Sequence, residues 1–408
     1  LQDWLGLKLS ATLLFDYPSI RQLTENLVKI SLSDGSAQTS ESDDQIIIIG
    51  GGVAGLTTAF ELYDMGKRNI TIVEGADRPG GKVHSIQVND TAYEMGQIYF
   101  GSNYKQGSKL AERLGLTITS HSKSSIQYDL KAGSGSEVDV DYFGQWTADA
   151  LDAAGFSLGT QLSALNCPKE LHAPFAEWVE SKNLGKIPMK LYELWTSYGY
   201  GYLTDDMPAY YVVRYLLLVF GMEHFGRIEE GNQALWENAA RYLKDRSIPF
   251  TTGFRVDHVV RTDKGVEVYA DDGRVLNGSQ VVFACPPSAI LKMIQPTATE
   301  REVFERFKTY NYRVAVVKAD NMPTASTLVV EQHQEQSSRG HLLGYFRFDE
   351  EQDVFITSQY GSLPSDTTAY DESGLQDILA KDFEALGGKI TEVIKEINWS
   401  YFPHVNCE

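Results

Sequence analysis

The run Gly50-Gly51-Gly52-Val53-Ala54-Gly55 constrains this chain more than any other feature. It is framed by an apolar strand over Gln45–Ile49 and by a helix whose apolar face begins with Leu56, Ala59, Phe60 and Leu62. The helix ends near Met65-Gly66, a second strand covers Asn69–Val73, and Glu74 stands at its end. In such a strand, turn, helix, strand and acid unit each part has a physical task. Gly50 permits a tight turn, Gly52 lets a pyrophosphate approach the backbone, and Gly55 lets the helix pack on the sheet. The helix start, at Val53 and Ala54, presents amides and the positive end of the helix dipole to phosphate. Glu74 is placed to accept from a ribose diol and disfavours a phosphate on that ribose. A purely structural glycine loop would not need this whole context.

The next block narrows the ligand. Residues 74–82 read EGADRPGGK, and 93–96 read YEMG. This resembles the flavin amine oxidase and phytoene desaturase superfamily, whose second strand runs into a Glu-x-x-x-Arg-x-Gly-Gly-Arg stretch. Glu74, Arg78, Gly80 and Gly81 match, and Lys82 stands where the family usually has Arg. The resemblance implies FAD as cofactor. Glu74 would hold the adenosine ribose, while Arg78 and the Gly80-Gly81 backbone would hold the pyrophosphate and ribityl region. Lys82 keeps the charge but not the planar fork. Glu94-Met95-Gly96 resembles the family's acid-x-Gly turn near the flavin, which makes Gly96 a further cofactor residue.

Residues 98–250 depart from the doubly wound pattern. A helix is expected over Lys109–Leu114, and strands over Ile126–Leu130 and Glu137–Phe143 around a turn at 133–136. Residues 146–245 read as largely helical and are dense in aromatics, including Trp178, Tyr192, Trp195, Tyr198, Tyr200, Tyr211 and Tyr215. That density suits a substrate domain with an apolar cavity, although core packing accounts for most single members. Glu230-Gly231-Asn232-Gln233-Ala234-Leu235 resembles the family's Gly-Gly-x-x-x-Leu segment, with Asn232 in place of the second glycine. Thr252–Val260 resembles its return strand, in which the backbone of Val256 would meet adenine. Val266–Tyr269 and Gln280–Ala284 read as a strand–turn–strand unit, followed by Cys285-Pro286-Pro287. Cys285 has no paired base and is read as a buried small residue. Strands over 312–318, 325–330 and 341–347 are expected to carry charges on an outer face. A helix near 374–386 and a strand near 391–398 follow. Many amine oxidases of the superfamily carry a Lys near the flavin. Arg313 stands where that Lys is common, which favours desaturation or another two-electron oxidation over amine oxidation. The family's last flavin-binding region is expected beyond Glu408.

Before the linker, Leu5–Ile20 resembles the end of an acyl carrier protein from a polyketide synthase. The likeness lies in a short helix capped by Ser10, a turn at Pro18 and a last helix with Ile20, Leu23, Leu27 and Ile30 on one face. The phosphopantetheine-bearing serine of that family would lie upstream, and no serine in 1–30 takes its place. Residues 31–44 are small, polar and acidic and read as a flexible linker. A start at Leu1 and a stop at Glu408 suggest a piece of a longer polypeptide.

The expected fold is α/β: a Rossmann-like FAD-binding domain with an inserted mixed α+β substrate domain, preceded by a small helical carrier remnant. The parts are 1–30 carrier helices, 31–44 linker, 45–120 with 230–295 FAD domain, 121–229 with 296–398 substrate domain, and 399–408 a return to the FAD domain. A net charge of −19 argues against nucleic acid as partner. Cys167, Cys285 and Cys407 form no metal or redox motif and suit a reducing, cytoplasmic setting. No membrane span is legible, and the eight histidines show no metal-ligand spacing. No catalytic side chain is assigned, because FAD supplies the redox chemistry. The expected function is an FAD-dependent oxidoreductase in a polyketide or mixed polyketide–peptide synthase. It would act on a carrier-bound acyl or aminoacyl chain or a small amine, alongside other synthase domains. A non-catalytic flavin-fold scaffold and a nicotinamide-dependent enzyme are the alternatives.

Overall fold

A computed structural model describes residues 45–121, 124–157, 160, 162–163, 166–204, 207–220, 222, 224–361 and 372–407. The carrier-like helices expected at 1–30 and the linker at 31–44 lie outside them. The chain divides into two compact units. The first contains the described residues up to Gly81, part of 161–167, and Trp236–Ala298. The second contains Lys82–Thr160, Pro168–Leu235 and the chain from Thr299 onward.

The first unit is built on four parallel strands in the order Phe250–Thr251, Ile70–Val73, Ile46–Ile49 and Gln280–Phe283. Ile46–Ile49 lies at the centre, and its four isoleucines are all buried. An unbroken apolar run suits a parallel strand covered on both faces. Each such side chain contributes about 1.5–3 kcal/mol when fully buried. The helix Val53–Asp64 covers the sheet with Leu56, Ala59, Phe60 and Leu62. The Phe60 ring stacks on Tyr242 at 5.2 Å.

Residues 247–284 do not behave as one group. Phe250–Thr251 and Gln280–Phe283 join the central sheet. Val256–Thr262, Gly265–Ala270 and Val275–Gly278 form a separate antiparallel sheet. The expected pairing of Val266–Tyr269 with Gln280–Ala284 is thus replaced, because Val275–Gly278 supplies the returning strand.

The second unit holds a seven-stranded sheet in the order Lys389–His404, Lys308–Asp320, Val354–Tyr360, Gly344–Phe346, Thr327–Val330, Ser125–Asp129 and Ser134–Glu137. The helix Glu372–Ala385 covers one face, where Leu379 and Phe383 meet Ala315, Val317, Ala319, Tyr345 and Phe355. The charged outer face expected for these strands is therefore absent at their centre, where Tyr312–Val317 are buried.

Four local expectations change. Ser134–Ser136 is strand rather than turn, and Val140–Phe143 is helix rather than strand, the first turn of the helix Val140–Ala153. Asp139 decides the second point, since its Oδ1 accepts from the Tyr142 amide at 2.8 Å and caps the helix. The helical region is also interrupted by Phe225–Ile228, which pairs with Phe100–Gly101 and Ile118–His121. Finally, the last strand runs unbroken from Lys389 through Trp399 to His404. Among the described residues no helix is long and apolar enough to cross a membrane.

Candidate functional site

The glycine turn in the first unit separates structural glycines from a functional one. Gly50 has φ +113°, and a Cβ there would lie 2.6 Å from the Ala284 carbonyl oxygen. A Cβ on Gly55 would lie 1.9 Å from the Gly50 carbonyl oxygen. Gly52 differs: its φ is −79°, and a Cβ would meet nothing nearer than Gly81 Cα at 3.6 Å. Packing therefore demands Gly50 and Gly55 but not Gly52. The space beside Gly52 is open to a ligand. Gly52 is also the N-cap of the helix Val53–Asp64 and offers no capping side chain. Val53 and Ala54 are exposed while the helix behind them is buried. The amides of the first turn lack intrahelical acceptors, so this end is an anion-ready surface.

Glu74 braces the turn. Its Oε2 accepts from the Gly51 amide and its Oε1 from the Ala76 amide, each at 2.7 Å. Each oxygen has a further lone pair for a hydroxyl. Gly80 donates to the Gly51 carbonyl at 2.9 Å, and Arg78 donates to the Gly81 carbonyl at 2.8 Å. Burial lowers the Arg78 pKa, against the opposing charges of Asp77, Glu74 and Glu237. Gly253 and Phe254 donate to the carbonyls of Ala76 and Glu74, both at 2.8 Å. This carries the start of the strand at Val256 to the Glu74 loop. The first unit thus gathers Gly50 to Gly55, Glu74, Arg78, Gly80, Gly81 and Val256 around one turn. An open glycine, an exposed helix start and a carboxylate with spare lone pairs fit the ADP half of FAD.

Lys82 and Gly96 belong to the second unit. Burial lowers the Lys82 pKa, and its ammonium has no partner among the described residues. A Cβ on Gly96 would lie 1.7 Å from the Lys82 carbonyl oxygen, so glycine is required there. The neighbouring Glu94 is fully buried. It accepts from Ser85 Oγ at 2.7 Å and from the Asn232 amide at 2.8 Å. Burial pushes its pKa up to about 7, against those hydrogen bonds and the Arg227 charge. Asn232, which departs from the family's glycine, donates Nδ2 to the carbonyls of Gln97 and Ile98 at 3.0 Å each. The Trp399 indole donates to the Met95 carbonyl at 2.6 Å. Glu94, Asn232 and Trp399 together fix the turn that contains Gly96.

The second unit also contains an aromatic cluster that only its fold assembles. Trp195, Tyr200 and Tyr215 have ring centroids 5.1–5.3 Å apart, and Tyr200 lies 5.7 Å from Tyr401 and 5.3 Å from Phe402. Tyr312 and Tyr360 join it from the seven-stranded sheet. Most of the hydroxyls are committed. Tyr312 donates to the Ser197 carbonyl at 2.5 Å, Tyr360 to Thr196 at 2.9 Å and Tyr215 to Leu194 at 2.8 Å. The Tyr198 hydroxyl has no partner among the described residues. Burial, then the charge of Glu193, holds its pKa well up, yet part of its surface stays accessible. Its ring packs edge-on against Phe346 at 5.2 Å. The sequence pointed to the aromatics around 192–215. It did not reveal the contribution of Tyr312, Tyr360, Tyr401 and Phe402, which rests on strand pairing.

Arg313 lies on the other face of its strand. It is 1% exposed and donates to Gln359 Oε1 and Glu396 Oε2. Gln359 in turn donates to the Gly340 and Leu375 carbonyls, beneath the helix Glu372–Ala385. Arg313 is a buried structural cation rather than a counterpart of the family's lysine. Cys285 is partly buried, and burial with the Glu74 charge pushes its pKa up to about 11. A protonated thiol agrees with its reading as a packing residue.

The profile of the flavin-containing amine oxidoreductase family matches residues 53–321, and the chain belongs to that family. A putative flavin-containing monoamine oxidase of Mycobacterium tuberculosis is 25% identical over 264 residues, 60% of this chain and 57% of that protein. The match thus spans little more than half of that relative. Beta-cyclopiazonate dehydrogenase of Aspergillus oryzae is 25% identical over 325 residues, 74% of this chain and 68% of that protein. Among solved structures, a CLA-producing fatty acid isomerase from P. acnes superposes with a TM-score of 0.80 at 22% identity, covering 91% of this chain and 89% of that one. A putrescine oxidase gives 0.65 at 15% identity, covering 90% and 88%. These chains share the fold described above.

Proposed function

We propose that this protein is an FAD-dependent oxidoreductase that removes two hydrogens from an apolar acyl or aminoacyl chain held as a thioester on a carrier domain. The observation that carries the reading is the aromatic cluster, in which the Tyr215, Tyr312 and Tyr360 hydroxyls are taken up by backbone carbonyls, so that it presents mainly apolar ring surface. Bound FAD supplies the two-electron acceptor. The chain's own residues would do the rest. Within the first unit, Gly52, Val53, Ala54 and the Gly80-Gly81 backbone would hold the pyrophosphate, with Arg78 adding positive charge. Glu74 would take the ribose and Val256 the adenine by its backbone. The aromatic side chains would seat the chain and exclude water.

Two further observations favour an acyl chain over a free amine. Arg313 is buried away from the aromatic face, so it does not present there the cation common in amine oxidases. The relatives also include proteins named as a dehydrogenase and a fatty acid isomerase. The carrier-like stretch at 1–30 supports delivery on a phosphopantetheine arm within a polyketide or mixed synthase, because a short tether raises the local concentration of its cargo. The test uses a longer polypeptide with an intact carrier, loaded with candidate chains under anaerobic conditions. Flavin bleaching together with a loss of two hydrogens from the carrier-bound chain, read by intact-protein mass, supports the proposal. Rapid turnover of free small amines with no reaction of any loaded chain rejects it.

A further inference from the structure

His333, His341 and Asp382 meet in the second unit, on the helix side of the seven-stranded sheet. His333 ends the short turn Glu331–His333, His341 follows Gly340, and Asp382 lies in the helix Glu372–Ala385. One donor atom from each lies within 4.8 Å of the other two. The two imidazole rings face each other at 4.6 Å. His333 and Asp382 are buried, while His341 keeps 43% of its side chain exposed and leaves a route from solvent.

The hydrogen bonds fix the ring chemistry. His333 Nδ1 lies 2.8 Å from the Leu342 carbonyl oxygen, which can only accept. Nδ1 therefore carries the proton, and Nε2 of the neutral ring keeps its lone pair. The Leu342 amide donates to Asp382 Oδ2 at 2.7 Å, which leaves Oδ1 toward His341 Nδ1 at 2.9 Å. One residue's backbone thus orients both His333 and Asp382, the support that metal ligands usually receive.

We infer that His333 Nε2, His341 Nδ1 and Asp382 Oδ1 bind a divalent transition-metal cation of the zinc class. Two imidazoles and one carboxylate suit borderline cations, whereas calcium and magnesium prefer oxygen donors alone. On binding, the proton between His341 Nδ1 and Asp382 Oδ1 passes to Nε2 of the same ring. Water fills the remaining positions on the His341 side. The ion would pin the Glu331–His333 turn and the Leu342 backbone to the covering helix and stabilise the folded chain by linkage.

The test titrates the chelator-treated full chain with Zn2+ by calorimetry and with Co2+ by visible absorption. One equivalent of saturable binding, a zinc-dependent rise in the thermal midpoint and Co2+ ligand-field bands are expected. His341→Ala and Asp382→Asn should each weaken binding by about 100-fold or more, beyond the effect of losing an outer-shell group. His341→Ala removes a half-exposed ring, and its fold is checked by circular dichroism. His258→Ala, which removes an exposed histidine paired with Asp257, should leave binding intact. No saturable binding by the wild type overturns the inference. So does wild-type affinity in both His341→Ala and Asp382→Asn, or an equal loss in His258→Ala.

Discussion

The amide of Gly51 donates to Glu74 Oε2 at 2.7 Å, so the acid expected to hold a ribose also holds the glycine turn in shape. The turn is thus preorganised by its own chain, and its three motif glycines have separable duties.

That separation makes the first prediction. Gly52→Ala should cost the cofactor-free protein no more than about 1 kcal/mol, the usual preference for Gly over Ala at a helix N-cap. Its Cβ would make only ordinary contacts, with Gly81 Cα at 3.6 Å and Gly81 N at 3.9 Å. The same methyl would stand where a pyrophosphate must approach, and FAD affinity should fall about tenfold or more. Gly55→Ala should instead destabilise the protein before any cofactor is added, since its Cβ would lie 1.9 Å from the Gly50 carbonyl oxygen. Flavin fluorescence titration and urea unfolding separate the two. Unchanged FAD affinity in Gly52→Ala would remove the turn from the cofactor site.

Glu94 makes a pH prediction. Its pKa rises from an ordinary 4.5 to about 7 in the folded chain, first through burial. The folded state therefore holds the proton more tightly than the unfolded state. The associated stability is fully present below pH 4.5 and is lost as pH rises through about 7. At about 1.4 kcal/mol per pH unit, the span is worth on the order of 3 kcal/mol. Glu94→Gln cannot ionise, so its stability relative to wild type should improve by about that amount between pH 4 and pH 8. Parallel pH profiles in urea unfolding would refute the assignment.

Local chemistry explains how much of this could be read in the sequence. The isoleucine strand, the glycine turn and Glu74 were legible because strand, turn and helix lie within one short stretch. The strand 256–278 group was misjudged for the opposite reason. Nothing local distinguishes Gln280–Phe283, which enters the parallel sheet, from Val275–Gly278, which turns back on Gly265–Ala270. Tyr312 and Arg313 show the same limit in the second unit. Alternation places them on opposite faces, but only the covering helix shows which face is dry and which is aromatic. The meeting of His333, His341 and Asp382 likewise depends on where the helix Glu372–Ala385 lands.

The tyrosines of the aromatic cluster should separate by the use of their hydroxyls. Tyr360 donates to the Thr196 carbonyl and accepts from the Gly201 amide at 2.7 Å, all buried. Tyr360→Phe leaves both groups unpaired and should cost about 1–3 kcal/mol. The Tyr198 hydroxyl has no such partner, so Tyr198→Phe should be neutral within about 0.5 kcal/mol. An equal loss in both variants, measured by denaturant unfolding, would show that Tyr198 is part of the structural network.

Arg313 tests whether this chain hides an amine oxidase lysine. Its guanidinium reaches Gln359 and Glu396 at once and is almost wholly buried. Arg313→Ala removes one partner of a largely buried pair and should cost about 3–5 kcal/mol. Arg313→Lys keeps the charge but has a single head group, so it cannot span both partners with a fork. It should cost less than the alanine variant while leaving FAD affinity and the rate of flavin reduction unchanged, because Arg313 faces the helix and not the aromatic cluster. Urea unfolding and stopped-flow flavin reduction check the two halves. If Arg313→Lys kept wild-type stability and gained oxidation of small amines, the position would belong to the redox site, and the desaturation reading would give way to amine oxidation.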